Sequence, residues 1–132
     1  DYNMELLFIL GRVIFGLFFL NSGINHFKDV KGLTGYTASK NVPFPKASVL
    51  FTGILLVLGS LGVIFGVYVT FSLWLLILFL VPTTILMHPF WKETDPQTRG
   101  SEKGAFMKNM ALAGATIMML SIPLPWVLTI MS

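Results

Sequence analysis

The sequence predicts an all-α integral membrane protein, a four-helix bundle that forms one transmembrane domain. Hydrophobic residues make up 55% of its 132 residues and charged residues only 11%, whereas a typical soluble domain has about 25% charged residues. The mean hydropathy is +0.79. The stretch 49–87 contains no Asp, Glu, Lys, Arg or His.

That stretch is too long for one membrane crossing. As a single helix it would measure about 58 Å at ~1.5 Å per residue, about twice the ~30 Å hydrocarbon core of a bilayer. It must therefore cross, turn and cross back. The turn is predicted at 66–68, where a glycine and an interfacial tyrosine meet, so that spans two and three cover about 49–66 and 69–87.

The first span is predicted at about 5–24 and carries a charge, Arg12, about two turns inside. A charge near the middle of a span costs at least ~2.5 kcal/mol on insertion scales. One interpretation is that Arg12 extends to the nearer interface, towards Glu5. The other is that it faces the bundle interior and binds a carboxylate, a backbone carbonyl or an anionic head group.

The fourth span is predicted at about 106–122, which leaves polar loops at 25–48 and 88–105. The first loop is predicted to contain a short interfacial helix at about 29–39, and in the second loop the Asp95–Pro96 pair is interpreted as a turn. Lys and Arg are concentrated in these two loops. The positive-inside rule therefore places both loops in the cytoplasm and both termini outside, in a prokaryotic cytoplasmic membrane.

Small residues predict where helices pack closely, because a missing side chain allows two backbones to approach. In the second span they are Gly59, Gly62 and Gly66, and in the fourth they are Ala111 and Ala115. The proline-rich end of the fourth span includes Trp126, which is predicted to lie at the membrane interface.

The two histidines, His26 and His88, each lie where a span meets a basic loop, and therefore on the same membrane face. They could share a site for a quinone head group, a haem iron or a metal. Alternatively, each is an interfacial residue with one ring nitrogen in water, because no metal-binding spacing is present. The loop acids, which include Glu102, are interpreted as solvated charges. No catalytic residue, nucleophile arrangement or metal site is predicted, and the absence of cysteine excludes a Cys-ligated cluster within these residues.

Three segments, GRVIFGLFFLNSGINHF, NVPFPKAS and HPFWKETDPQTRGSEKGAFMKNMALAGA, resemble the DoxX-like family of small four-helix membrane proteins. The resemblance covers nearly the whole chain. This chain departs from the family pattern in the second span, where relatives often carry an acidic residue and this chain has Leu56 followed by Gly59–Ser60. The positions that match the family motifs are Arg12, Asn25, His26, His88, Phe90, Trp91 and Asn109.

The resemblance implies two functions, because relatives look like membrane subunits of a thiosulfate:quinone oxidoreductase or assembly factors of redox complexes. The first is a small accessory subunit that packs within a larger respiratory or redox complex in the lipid bilayer and has no chemistry of its own. The alternative is a quinone-interacting oxidoreductase subunit, with Arg12, His26 and His88 around a quinone or lipid head group. Nucleic-acid binding is set aside, because the aromatic residues lie inside apolar runs rather than on a basic surface.

Overall fold

A computed structural model describes residues 1–130 and confirms the all-α fold class. Within those residues the chain forms five α-helices and one 3₁₀ turn. The helices are α1 (Tyr2–Lys28), α2 (Val30–Ser39), α3 (Pro45–Phe65), α4 (Val69–Met87) and α5 (Pro96–Met119), and the 3₁₀ turn is Phe90–Lys92.

The long helices pack in the order α1, α3, α4, α5, and the short α2 lies against α3 and α1. Their shared core is apolar, as expected where burial of hydrophobic surface holds a fold together. Its fully or nearly fully buried members are Phe19, Leu56, Val63, Val69, Leu73, Leu76, Leu80, Ala113 and Trp126.

Glycines set how closely these helices approach one another. A Cβ added at Gly23 of α1 would lie 2.9 Å from Leu56 Cβ of α3. One added at Gly59 of α3 would lie 2.8 Å from Leu76 Cδ2 of α4. In α5 the buried residues are Ala113 and Thr116, whereas Ala111 is exposed and Ala115 is half-buried. The backbone of α3 therefore lies close to that of α1 at Gly23 and to α4 at Gly59.

The predicted turn between the second and third spans is confirmed. Helix α3 ends at Phe65, Gly66 adopts a left-handed φ of 66°, and α4 begins at Val69. A left-handed residue after the last helical turn is a common helix terminator, and glycine adopts it without steric cost. The two helices are thus joined by a tight reversal.

In the part of the chain that the structure describes, three helical stretches are long and apolar enough to cross a membrane, namely Tyr2–Lys28, Pro45–Phe65 and Val69–Lys92. Helix α5 is not among them, and it differs from the predicted fourth span at both ends.

Helix α5 begins at Pro96 because the Asp95 side chain caps it by accepting a hydrogen bond from the Thr98 backbone N–H at 2.9 Å. That bond and a second from the Thr98 hydroxyl lower the pKa of Asp95. The interpretation of Asp95–Pro96 as a turn is therefore wrong.

The segment after α5 folds back onto the turn between α3 and α4. The Ile130 backbone N–H donates to the carbonyl oxygens of Phe65 and Gly66, each at 3.1 Å. Trp126 is only 3% exposed, and its ring packs edge-on against that of Phe8 at a centroid distance of 5.0 Å. Trp126 is therefore not a lipid-facing belt residue, because its indole fills the core, and its depth in the membrane stays a prediction.

Candidate functional site

A cavity of about 410 Å³ lies at the end of the α3–α4 pair opposite their connecting turn. Residues of α1 and α2 and two residues near the middle of α5 complete its wall. The side chains that contribute polar atoms to the wall are Ser22, His26, Tyr36, Thr37, Ser48, Thr52, Thr83, His88, Lys108 and Asn109. The rest of the wall is mostly apolar, with aromatic side chains from three helices in Phe18, Phe51 and Phe79. Such a mixture of apolar walls and a few polar groups is typical of small-molecule sites.

His26 lies at the junction between α1 and α3. A Cβ added at Gly53 would lie 2.9 Å from His26 Cβ, so this glycine lets the two helices meet there. The close approach brings His26 Nδ1 to 3.0 Å from the Val49 carbonyl oxygen and 3.1 Å from Thr52 Oγ1. The ring also packs edge-on against Phe79 of α4 at 6.0 Å between centroids. His26 is thus held at one ring nitrogen and along one ring edge.

His88 follows directly after α4 and lines the same cavity. Its Nδ1 lies 2.9 Å from Glu102 Oε2 of α5. Glu102 Oε2 also lies 3.7 Å from Lys40 Nζ, and Lys40 Nζ lies 3.9 Å from Glu93 Oε1. Since the side chains of Lys40 and Glu102 are only 16% and 14% exposed, these charges form a half-buried network that links α2, α5 and the end of α4.

Tyr36 of α2 lies beside this network and lines the cavity. Lys40 Nζ is 5.6 Å from the centre of its ring, within cation–π range. Burial raises the pKa of the Tyr36 hydroxyl, and the negative charges of Glu102 and Glu93 raise it further. The phenol therefore stays protonated at neutral pH and can donate a hydrogen bond.

Glu102→Gln is expected to lower the pKa of Tyr36 while leaving it above that of an ordinary tyrosine. The substitution removes one of the two carboxylates that disfavour the phenolate, but burial and Glu93 remain. Ultraviolet titration of tyrosinate measures the pKa, and Tyr36→Phe identifies which part of the signal belongs to Tyr36. An unchanged Tyr36 pKa in Glu102→Gln would show that Glu102 does not act on this phenol.

Lys108 and Asn109 are the residues of α5 that line the cavity. Asn109 is half-buried and Lys108 is exposed. The ammonium of Lys108 lies 5.6 Å from the centre of the Phe18 ring of α1. The two side chains therefore place hydrogen-bond donors in the part of the cavity wall that α5 forms.

Arg12 does not lie at this cavity. It is 4% exposed, and its guanidinium donates to three carbonyl oxygens, those of Val127 at 2.7 Å, Leu128 at 3.1 Å and Ile64 at 3.3 Å. Its Cζ is 5.7 Å from the centre of the Trp126 ring. Of the two interpretations, Arg12 takes the one that faces the interior and binds backbone carbonyls. The structure therefore brings the two histidines to one cavity but places Arg12 elsewhere.

The remaining motif residues occupy different environments. Asn25 is exposed at the end of α1. Phe90 and Trp91 form an aromatic cluster with Phe106 of α5, with ring centroids 5.3 Å and 5.8 Å from that of Phe106. These aromatic residues anchor the 3₁₀ turn to α5. Within residues 1–130 no group of three or more His, Cys, Asp or Glu is placed to hold a metal ion.

The sequence analysis does not identify Thr52 and Glu102, whose side chains contact His26 and His88. Glu102 was interpreted as a solvated loop acid because the start of α5 was placed too late. With Asp95 as the helix cap, Glu102, Phe106 and Asn109 follow at intervals of four and three residues, which places them on one helix face. That spacing was the available signal. Thr52 offered none, because threonines are common in apolar helices.

Residues 7–89 match the family model described as DoxX. The matched range extends from α1 to the residue after His88, and it includes both histidines of the cavity. No curated protein and no solved structure matches the chain.

Proposed function

This chain belongs to the DoxX family of membrane proteins, and on that premise we propose that it is an integral-membrane subunit that binds a quinone head group as part of a larger redox complex. The observation that carries the proposal is the pair of histidines in the wall of one cavity. His26 and His88 are 62 residues apart in the matched region, yet both line the same apolar-walled space.

The size and chemistry of the cavity support a head group of this kind. A volume of about 410 Å³ falls within the roughly 300–1,000 Å³ of typical ligand pockets. A quinone is a flat ring with two oxygens that need hydrogen-bond partners. The phenyl rings of Phe18 and Phe79 supply apolar walls. Lys108 and Asn109 can donate to the ring oxygens, and the two imidazoles can accept from those oxygens when they carry hydroxyl protons.

Electrons for a bound quinone would come from a partner subunit. These 132 residues contain no cysteine, so a Cys-ligated iron–sulfur cluster would be held outside them. Because a bound quinone needs an external electron donor, a quinone site in this chain implies that the chain is part of a larger complex. In the accessory-subunit alternative, the chain packs in such a complex without binding the quinone.

The proposal includes four membrane crossings in a bundle, with α5 as the fourth. The packing of α5 against α4 supports it, and α5 is less apolar than the others because its first eight residues are PQTRGSEK. Of the nine Lys and Arg residues, all but Arg12 lie at 28–46 or 92–108, at or towards the end of the helices where the cavity lies. By the positive-inside rule, this end of the helices would face the cytoplasmic side of a prokaryotic membrane.

His88→Ala and His26→Phe are each expected to weaken binding of the reduced, hydroxyl-bearing form of the head group by about tenfold, because the loss of one hydrogen bond worth ~1–1.5 kcal/mol corresponds to about that factor. The measurement is calorimetric titration of the purified protein in mild detergent with a short-tailed benzoquinol in the absence of oxygen. Asn21→Ala serves as the matched control, because Asn21 is exposed on α1 and lies outside the cavity wall.

A pull-down from native membranes separates the two functions. Capture of large redox subunits together with a quinone that His88→Ala loses would support the proposal. Capture of those subunits by a protein that binds neither benzoquinone nor benzoquinol, in either the isolated or the assembled form, would contradict it and favour the accessory role.

A further inference from the structure

The proton of the His26 ring is fixed at Nδ1 by its neighbours. The Val49 carbonyl oxygen, at 3.0 Å, can only accept a hydrogen bond. The Thr52 hydroxyl donates its own proton to the Ser48 carbonyl oxygen at 2.7 Å, so its oxygen has lone pairs left for His26 Nδ1. The Val49 contact therefore requires an N–H at Nδ1, and the Thr52 contact is compatible with the same tautomer.

A neutral imidazole protonated at Nδ1 has a lone pair at Nε2. Among residues 1–130 no side chain or backbone group forms a hydrogen bond with His26 Nε2. Because His26 lines the cavity, this nitrogen is the part of the ring left to meet a ligand. It meets that ligand as a hydrogen-bond acceptor.

His88 has the same arrangement. Its Nδ1 lies 2.9 Å from a Glu102 carboxylate oxygen, which accepts hydrogen bonds when ionised. The proton of a neutral His88 ring therefore lies at Nδ1, and its Nε2 also carries a lone pair. The cavity thus has two imidazoles whose acceptor nitrogens are not used within the described part of the chain.

We infer that the site selects the reduced, hydroxyl-bearing form of its ligand, a quinol, over the oxidised quinone, and that His26 is the residue that discriminates between them. This inference rests on the proposed function. A quinol hydroxyl both donates and accepts a hydrogen bond, whereas a quinone carbonyl oxygen only accepts. The donors at Lys108 and Asn109 can serve either form, but the lone pair of His26 Nε2 can serve only the hydroxyl.

The size of the preference follows from the cost of an unmade hydrogen bond. A quinone carbonyl placed against His26 Nε2 would bring two acceptors together and leave both unpaired in a largely apolar cavity. Sites built around a hydrogen bond to a ligand hydroxyl reject analogues that lack it. We expect the quinol to bind about tenfold more tightly than the quinone.

The test compares the dissociation constants of a short-tailed benzoquinol and the matching benzoquinone for the purified protein in detergent without oxygen. The ratio for the unmodified protein is itself decisive and needs no variant. His26→Gln is expected to bring the ratio close to one, because the glutamine amide offers either a donor or an acceptor by rotation. Asn21→Ala is expected to leave the ratio unchanged.

Thr52→Val provides a second readout. It removes one acceptor for His26 Nδ1–H but leaves the Val49 carbonyl, so the preference for quinol is expected to weaken without reversing. Equal binding of both forms, or tighter binding of the quinone, would overturn this inference while leaving the quinone site in place. Binding of neither form would overturn the proposed function and this inference with it.

Discussion

Replacing Arg12 with methionine is expected to lower the free energy of unfolding by about 2–5 kcal/mol, the largest loss that we expect from any single side-chain truncation in this chain. Three carbonyl oxygens lose a charged donor, and such hydrogen bonds contribute roughly 1.5–3 kcal/mol each. Methionine also removes the cost of placing a charge within the membrane, which stabilises the variant by about 2.5–3.5 kcal/mol. The lost hydrogen bonds therefore outweigh this stabilisation.

The loss is expected to spread beyond Arg12 because the guanidinium joins three segments. It extends from α1 to the Ile64 carbonyl in the last turn of α3 and to the Val127 and Leu128 carbonyls of the returning segment. Carbonyls in the last turn of a helix lack a partner within the helix, so the guanidinium replaces the missing donor. Without it, the segment around Trp126 is held by its own packing and by the Ile130 backbone bonds alone.

Chemical unfolding in detergent micelles measures the stability, and limited proteolysis reports whether residues 126–130 detach. The stability of Arg12→Lys is expected to lie between that of the unmodified protein and that of Arg12→Met, because an ammonium cannot reach the carbonyls of both segments as a planar guanidinium does. Arg99→Met is the matched control, since Arg99 is exposed and its loss is expected to be close to zero. Equal stability of Arg12→Met and Arg99→Met would contradict the assigned role.

Much of the fold could be predicted from the sequence because membrane length imposes strict limits. A charge-free run twice the bilayer thickness has to reverse, and Gly66 marks where. The short helix predicted within the first loop is also present, as α2 from Val30 to Ser39. The start of α5 could not be placed by the same reasoning, because Asp followed by Pro is a signal both for a turn and for a capped helix. The structure resolves it in favour of the cap at Asp95.

The candidate site was less predictable because sequence gives depth in the membrane but not lateral position. His26 and His88 could be placed at the same face, yet whether they met depended on how α1, α3 and α4 pack. Packing at Gly53 brings His26 against α3, and the return of α5 brings Glu102 to His88. The position of Arg12 depended on a segment whose fold-back onto α3 carried no periodic signal.

Gly62→Ala is expected to destabilise the protein by about 2–4 kcal/mol, because overpacking costs typically 1–3 kcal/mol and a lost buried hydrogen bond adds to it. The new Cβ would overlap Ser72 Oγ and would lie 2.8 Å from the Val67 carbonyl oxygen. Ser72 Oγ donates to that same carbonyl at 2.9 Å. The side chain therefore cannot rotate away without losing its bond.

The carbonyl cannot move easily either, because it belongs to the turn between α3 and α4. The Val67 backbone N–H donates to the Gly62 carbonyl oxygen at 2.9 Å, so displacing this peptide opens the reversal itself. Ser72→Ala in the Gly62→Ala background removes the hydroxyl clash. It leaves the close contacts of the new Cβ with the Cβ of residue 72 at 2.6 Å and with the Val67 carbonyl oxygen at 2.8 Å. We therefore expect it to restore only part of the lost stability.

Gly114→Ala is the matched control, because a Cβ at Gly114 would meet nothing within 4 Å. It is expected to be neutral or to stabilise α5 by up to about 1 kcal/mol through helix propensity. Both variants add one methyl group to a helix, so their difference in unfolding free energy isolates the close approach of α3 and α4. If Gly62→Ala is as stable as Gly114→Ala, the two helices do not pack at the separation described.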